Sequence, residues 1–214
     1  MAKTKEQQGS FGRLAPSQRR SRERYERILE AAAAVLVDQG GDAFRMSDVV
    51  ERSGVPFGSL YQYFPDKTAL IGTLAERYNE TGRACVAAAL AEVKTAKDLH
   101  PALCRIVDEY FAFFLEEPVT HHIWAATQAN PVLQRLDAED MEALSKLLME
   151  TSQRVLPNAD RKVLALHSRL TMQLIAAAVR YAIGLDRKRA EGSLSLFKRM
   201  LPRNIGALVA ETAD

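Results

Sequence analysis

Apolar residues return every three or four positions along most of this chain, and nowhere do they alternate one by one between turn residues. The first stripe is Ile28, Leu29, Ala32, Val35 and Leu36. It predicts a long helix that begins near Ser17 or Ser21 and ends at Gly40-Gly41, with Phe44 closing over it. A second stripe, Met46, Val49 and Val50, predicts a helix from Met46 to Ser53. Gly54 then supplies a positive φ that a residue with a Cβ adopts only at a cost. Val55 plugs the corner, and Pro56 falls in the first turn of a short helix from Phe57 to about Phe64, where a missing N–H is tolerated. Leu60 and Phe64, four apart, face inward. Phe57, Gly58, Ser59, Tyr61, Gln62 and Tyr63 are left on or near the outer face.

Asp66 is placed to cap a further helix that runs from Lys67 through Leu70, Leu74 and Tyr78 toward Val93. His100-Pro101 interrupts the pattern, and a helix from about Ala102 to Glu116 carries Leu103, Ile106, Val107, Tyr110, Phe111, Phe113 and Phe114. Pro118 and Pro131 bracket a short segment holding the only tryptophan, Trp124. From Leu136 the positions Met141, Leu144, Leu147, Leu148 and Val155 keep helical spacing up to Pro157-Asn158. Two more helices follow, over about 159–183 and 192–201. Their apolar surface is too broad for a single inward stripe, which fits a second copy of the chain packed against Leu170, Leu174, Ala177, Leu194, Phe197 and Leu201. The fold class expected is all-α.

Two short helices joined by a glycine turn, the second with an outer face free of acidic residues, have the form of a helix-turn-helix. A major groove admits such a helix, tyrosine and serine hydroxyls reach phosphates, and a glutamine amide pairs with an adenine edge. The expected phosphate contacts are Arg45, Tyr61, Tyr63 and Lys67, the last beside a helix N-terminus that attracts anions. Ser47, Phe57, Gly58, Ser59 and Gln62 are expected near base edges, with Phe57 offering an apolar surface to a thymine methyl.

The segments RILEAAAAVLVDQG (27–40), SDVVERSGVPFGSLYQYF (47–64) and FPDKTALI (64–71) resemble the TetR family of bacterial transcriptional repressors. The resemblance covers roughly residues 20 to 75. It implies a three-helix DNA-binding domain over 21–68, behind a flexible basic arm at 1–20, and a larger helical ligand-binding and dimerisation domain over 69–214. It implies a homodimer on a near-palindromic operator of double-stranded DNA, with the last two long helices of each copy forming a four-helix bundle, released by a small effector. Arg45 stands where most members place a threonine or serine cap, and Pro56-Phe57 where many have serine and a small or basic residue. These departures bear on which operator is read.

A formal net charge of +2 is small for a nucleic-acid binder, but it is unevenly distributed. Residues 1 to 24 carry Lys3, Lys5, Arg13, Arg19, Arg20, Arg22 and Arg24 against Glu6 and Glu23. Such an arm contributes salt-dependent phosphate contacts, or else is a solvated tail. Cys85 and Cys104 sit in apolar helical contexts without metal or redox spacing and are expected as buried free thiols in a reducing compartment. No apolar run of eighteen residues occurs, and no N-terminal apolar run follows the early lysines; a cytoplasmic protein without a membrane span is expected.

The adjacent His121-His122 pair does not share a helix face, so no metal site is expected, and no cofactor. None of the nucleophile-elbow, phosphate-loop or HExxH spacings occurs, which speaks against an enzyme. For a hydrophobic or aromatic effector the candidates are Tyr110, Phe111, Phe114 and Trp124, with His121 and Gln128 as polar groups among them. Large aromatic residues at helical spacing are more often core than ligand box, and it is as a group that these suggest a pocket. The alternative function is a DNA-anchored regulator whose helical domain docks a protein partner and takes no small ligand.

Overall fold

The computed structural model describes Phe11 and residues 18–211. Those residues form α-helices and one 3-10 turn, and no strand occurs among them. The helices are α1 (Arg19–Ala43), α2 (Met46–Ser53), α3 (Phe57–Tyr63), α4 (Lys67–Ala91), α5 (Leu99–Glu116), α6 (Val119–Gln128), α7 (Pro131–Val155), α8 (Arg161–Ile183), α9 (Arg187–Met200) and α10 (Ile205–Glu211). Residues before Gln18, Phe11 apart, lie outside this description, and with them most of the flexible arm expected at 1–20. Arg19 and Arg20, assigned to that arm from sequence, are the first residues of α1.

Several boundaries differ from expectation for local reasons. α1 passes Gly40, whose φ of 73° and ψ of 174° break the helix, and resumes to Ala43. Pro56 is the cap of α3 in extended conformation rather than a first-turn residue. His100-Pro101 does not interrupt a helix. The break lies earlier, where Thr95 and Asp98 form a capping box around a 3-10 turn, and Pro101 then falls in the first turn of α5. The tryptophan segment is a helix, α6. The helix expected over about 192–201 is α9 and starts earlier, at Arg187, where Asp186 accepts from the Arg189 N–H at 3.0 Å; a further helix, α10, follows it and has no counterpart in the sequence reading.

The chain divides into two compact units. The first holds the residues up to Arg77 together with His122–Leu136; the second holds Tyr78–His121 and the residues from Asp137 onward. The first unit buries Ile28, Leu36, Val49, Leu60, Phe64, Leu70 and Leu74. It also contains the later half of α6 and the start of α7. Ala126 lies so close to Gly41 that a Cβ on Gly41 would stand 2.9 Å from the alanine methyl, and Asn130 Nδ2 donates to Thr68 Oγ1 at 3.1 Å. The second unit has one contiguous core that includes Val86, Leu103, Ile106, Leu148, Leu164, Ile175, Val179 and Leu194. Cys85 is exposed and Cys104 half-buried, both free, so the expectation that both are buried fails for Cys85. Position 85 lies on the solvent side of α4, one residue from the inward-facing Val86.

Candidate nucleic-acid interface

Two helices of the first unit, α1 and α2, position a short, outward-facing α3. Gly54 ends α2 at φ 63° and ψ 18°, and its N–H donates to the Val50 carbonyl at 3.0 Å. A left-handed residue here turns the chain through the tight corner that Val55 fills with 1% of its surface exposed. Leu60 and Phe64 are fully buried. The Tyr25 ring of α1 stacks on Phe64 at 5.1 Å and meets Tyr63 edge-on at 5.6 Å, so an aromatic trio locks α3 to α1. Arg52 pairs with Asp38, joining α2 to α1.

The face of α3 turned to solvent carries Phe57, Gly58, Tyr61 and Gln62, with Ser59 half-buried. Phe57 and Tyr61, one turn apart, stack at 6.3 Å with nearly parallel rings and stay about half exposed. Arg45, the cap residue of α2, and Ser47 are exposed; the Ser47 hydroxyl donates to Asp48 at 3.1 Å. Seven of the nine expected DNA-contact residues therefore lie together at or near the outer surface of α2 and α3.

Tyr63 and Lys67 are placed otherwise. Tyr63 is buried, and its hydroxyl lies 2.5 Å from Ser21 Oγ, which corrects its expected position on the outer face. The reason is helical geometry: position 63 stands three residues from Leu60 and one from Phe64, inside the same inward arc. Lys67 Nζ donates to the Gly41 carbonyl at 2.6 Å and so neutralises the carbonyl end of α1 while remaining half-buried.

Among the described residues no group of three or more His, Cys, Asp and Glu is placed to hold a metal, and no helix is long and apolar enough to cross a membrane.

Two family descriptions match the chain: "Bacterial regulatory proteins, tetR family" over residues 28–74 and "Tetracyclin repressor-like, C-terminal domain" over 97–208. The chain belongs to the TetR family. Members of this family are DNA-binding transcriptional regulators, not enzymes. Among curated relatives it is 46% identical over 50 residues to the HTH-type transcriptional repressor KstR of Mycolicibacterium smegmatis, covering 23% of this chain and 24% of that protein. It is 43% identical over 53 residues to the HTH-type regulator YvdT of Bacillus subtilis, covering 25% and 27%. These matches span only about a quarter of each relative. A TetR-family regulator from Streptomyces coelicolor superposes with a TM-score of 0.55 at 27% identity over 85% of this chain and 97% of that one. The FadR regulator of Bacillus subtilis, solved with stearoyl-CoA, shares the fold with a TM-score of 0.63 at 19% identity over 85% and 98%.

In the second unit of this TetR-family chain the expected effector and dimer residues divide. Phe114 is buried, Tyr110 and Phe111 are half-buried, and Tyr110 meets Phe114 edge-on at 5.0 Å. Burial pushes the Tyr110 hydroxyl up to about 12. His121 is exposed; Trp124, half-buried, and Gln128, exposed, belong to the first unit. Gly82, Cys85, Val86, Ile106, Glu109, Tyr110 and Phe113 line a cleft between α4 and α5 of about 10 Å³, room for about one water.

Leu170, Leu174 and Ala177 of α8 are exposed as expected of a docking face. Leu194 and Leu201 are not: they are 3% and 6% exposed and belong to the chain's own core, with Phe197 packed against it. The apolar residues that α9 leaves outside are Leu196 and Met200. Sequence analysis also missed Leu166 and Tyr181, which extend the α8 stripe at four-residue steps from Leu170 and Ala177 and could have been found by that spacing.

Proposed function

We propose that the protein is a homodimeric repressor that binds a near-palindromic operator through two copies of α3 and is released when a small hydrophobic or aromatic effector enters the second unit. The observation that carries the dimer is the α8 stripe. Leu166, Leu170, Leu174 and Tyr181 are 59%, 54%, 55% and 65% exposed, and with Ala177 they follow steps of four, four, three and four along one helix. Leu196 and Met200 of α9 add exposures of 57% and 72%. An apolar band of this kind on a helix surface is a cost until a partner covers it, and a two-fold axis lets the same band cover itself. The residues proposed for that face are Leu166, Leu170, Leu174, Ala177, Tyr181, Leu196 and Met200.

At the DNA, Arg45 and Tyr61 hold phosphates, and Ser47, Phe57, Gly58, Ser59 and Gln62 approach base edges, with Gln62 the direct reader. Lys67 can give phosphate contact only with the donors left over from Gly41. Release needs differential affinity of the effector for two spacings of the recognition helices; about 1 to 3 kcal/mol of coupling changes affinity 5- to 150-fold. Tyr110, Phe111 and Phe114 supply the apolar lining on the effector side.

The alternative is a DNA-anchored regulator whose helical domain docks a protein partner and takes no small ligand; an effector enters the α4–α5 cleft, which has room for about one water, only after that cleft opens. A thermal-shift screen against drugs, dyes, acyl conjugates and aromatic acids separates the two, with each hit retested for release of DNA from the protein's own upstream region. A hit that both stabilises the protein and releases DNA supports the effector-gated repressor. Intact DNA binding with no such hit supports partner docking.

A further inference from the structure

Four helices of the second unit send charged or polar side chains to one place. Arg83 of α4 pairs with Asp140 of α7, and the two side chains are 35% and 14% exposed. The Tyr110 hydroxyl of α5 bonds Arg180 of α8, and its other charged neighbours are Asp140 and Asp137 of α7. The core around this group is apolar, with Val86, Ile106, Phe114 and Val179 supplied by α4, α5 and α8. Ion pairs drawn into such surroundings lose hydration about as fast as they gain attraction, and well-packed apolar residues hold a core at least as well. Two guanidiniums, two carboxyls and a phenol inside this domain therefore ask for a reason other than stability.

Their position supplies one. Tyr110 belongs both to this group and to the wall of the α4–α5 cleft, where Gly82, Val86, Ile106 and Phe113 present apolar surface. Glu109, the cleft's own anion, is paired with Arg105 at 3.9 Å. An apolar ligand body in the cleft thus has its polar end beside Tyr110 and the two guanidiniums. Asp140 is the weakly held member of the group. Burial raises its carboxyl to about 6 in spite of the Arg83 guanidinium, so at neutral pH it is ionised but close to taking up a proton. Once Asp140 is neutral, Arg83 and Arg180 stand against Asp137 alone, and the group carries a net positive charge. An incoming carboxylate restores the balance, and its charged end needs little more room than the Asp140 carboxyl leaves.

We propose that the polar end of the effector is a carboxylate, held by Arg83, Arg180 and the Tyr110 hydroxyl in the place that Asp140 occupies without it. This assignment rests on the effector-gated reading and gives it a chemical class, a hydrophobic or aromatic acid. The exchange balances as one proton taken from solvent onto Asp140 for each carboxylate bound.

The test is titration calorimetry of the full chain with octanoate and naphthoate, each beside its neutral primary amide. Both acids are expected to bind about tenfold more tightly than their amides, because charge-assisted hydrogen bonds are the stronger kind. Acid affinity should rise several-fold from about pH 8 to about pH 6, with about one proton taken up per acid bound, while amide affinity stays flat. In Asp140→Asn the acids should bind more tightly than in wild type, with neither pH dependence nor proton uptake. The double variant Arg83→Met, Asp140→Asn strands no buried carboxylate and should lose most of the preference for acid over amide. Amides that bind wild type as tightly as acids, acid binding without pH dependence, or an undiminished acid preference in the double variant would each overturn the carboxylate assignment and leave the effector reading standing. No saturable binding of any of the four compounds would overturn both.

Discussion

The Tyr63 hydroxyl lies 2.5 Å from Ser21 Oγ and 3.4 Å from the Ser21 carbonyl, fastening the recognition helix to the first turn of α1. That bond turns a residue with the look of a DNA contact into part of the scaffold. Tyr63→Phe should lower unfolding free energy by about 1 kcal/mol in chemical denaturation. DNA affinity should change by less than twofold, whereas Tyr61→Phe should weaken DNA binding without loss of stability. Reversal of the two phenotypes would return Tyr63 to the phosphate backbone.

Gln62→Ala should relax sequence preference at one operator position, read by competition with single-base variants of the site, at a cost of about 1 to 3 kcal/mol. Arg45→Ala should weaken all sequences alike and reduce the salt slope by about one. Equal losses on specific and random DNA for Gln62→Ala would remove it from base readout.

The legible part of the fold was the part governed by local rules. Gly54, Val55, Leu60 and Phe64 specify the helix-turn-helix through backbone handedness and three-and-four spacing, and all four behave as their sequence context requires. Tyr63 was misplaced because seven residues make less than two full turns, so a single position changes faces with a small rotation. Leu194 and Leu201 were misplaced because apolarity marks a buried face without naming what buries it. Only the exposures of Leu196 and Met200 reveal which side of α9 is left over. Pro101 reads as a break in the sequence, but it falls in the first turn of α5, where its missing N–H is tolerated, and the Thr95-Ala96-Lys97-Asp98 capping spacing that marks the preceding 3-10 turn is a sequence signal that was overlooked.

Asp140 of α7 pairs with Arg83 of α4 inside the second unit, yet burial outweighs the guanidinium and raises its carboxyl from 3.8 to about 6. A carboxyl with a raised native pKa binds its proton more tightly when folded, so its contribution is full below pH 4 and is lost as pH rises toward 6. Wild type should lose on the order of 2 to 3 kcal/mol of stability across that window from this group. In Asp140→Asn that decline should disappear from denaturation curves taken at pH 4, 5, 6 and 7. An unchanged pH profile in the variant would assign the shift elsewhere.

Leu170→Glu combined with Leu174→Glu places two charges on the exposed α8 stripe without touching the chain's own core. Sedimentation should fall from a two-chain to a one-chain mass with helical circular dichroism retained. Operator affinity should drop on the order of a hundredfold as the two half-sites cease to be bound together. A two-chain mass in this variant would place the interface elsewhere.

The most direct test of a two-fold regulator reading DNA through α3 is hydroxyl-radical footprinting on the protein's own upstream DNA, combined with a stoichiometric titration. Two chains per site should protect two symmetry-related clusters with centres about 10 base pairs apart, or a small departure from one helical turn. One chain per site, or protection without two-fold symmetry, would contradict it.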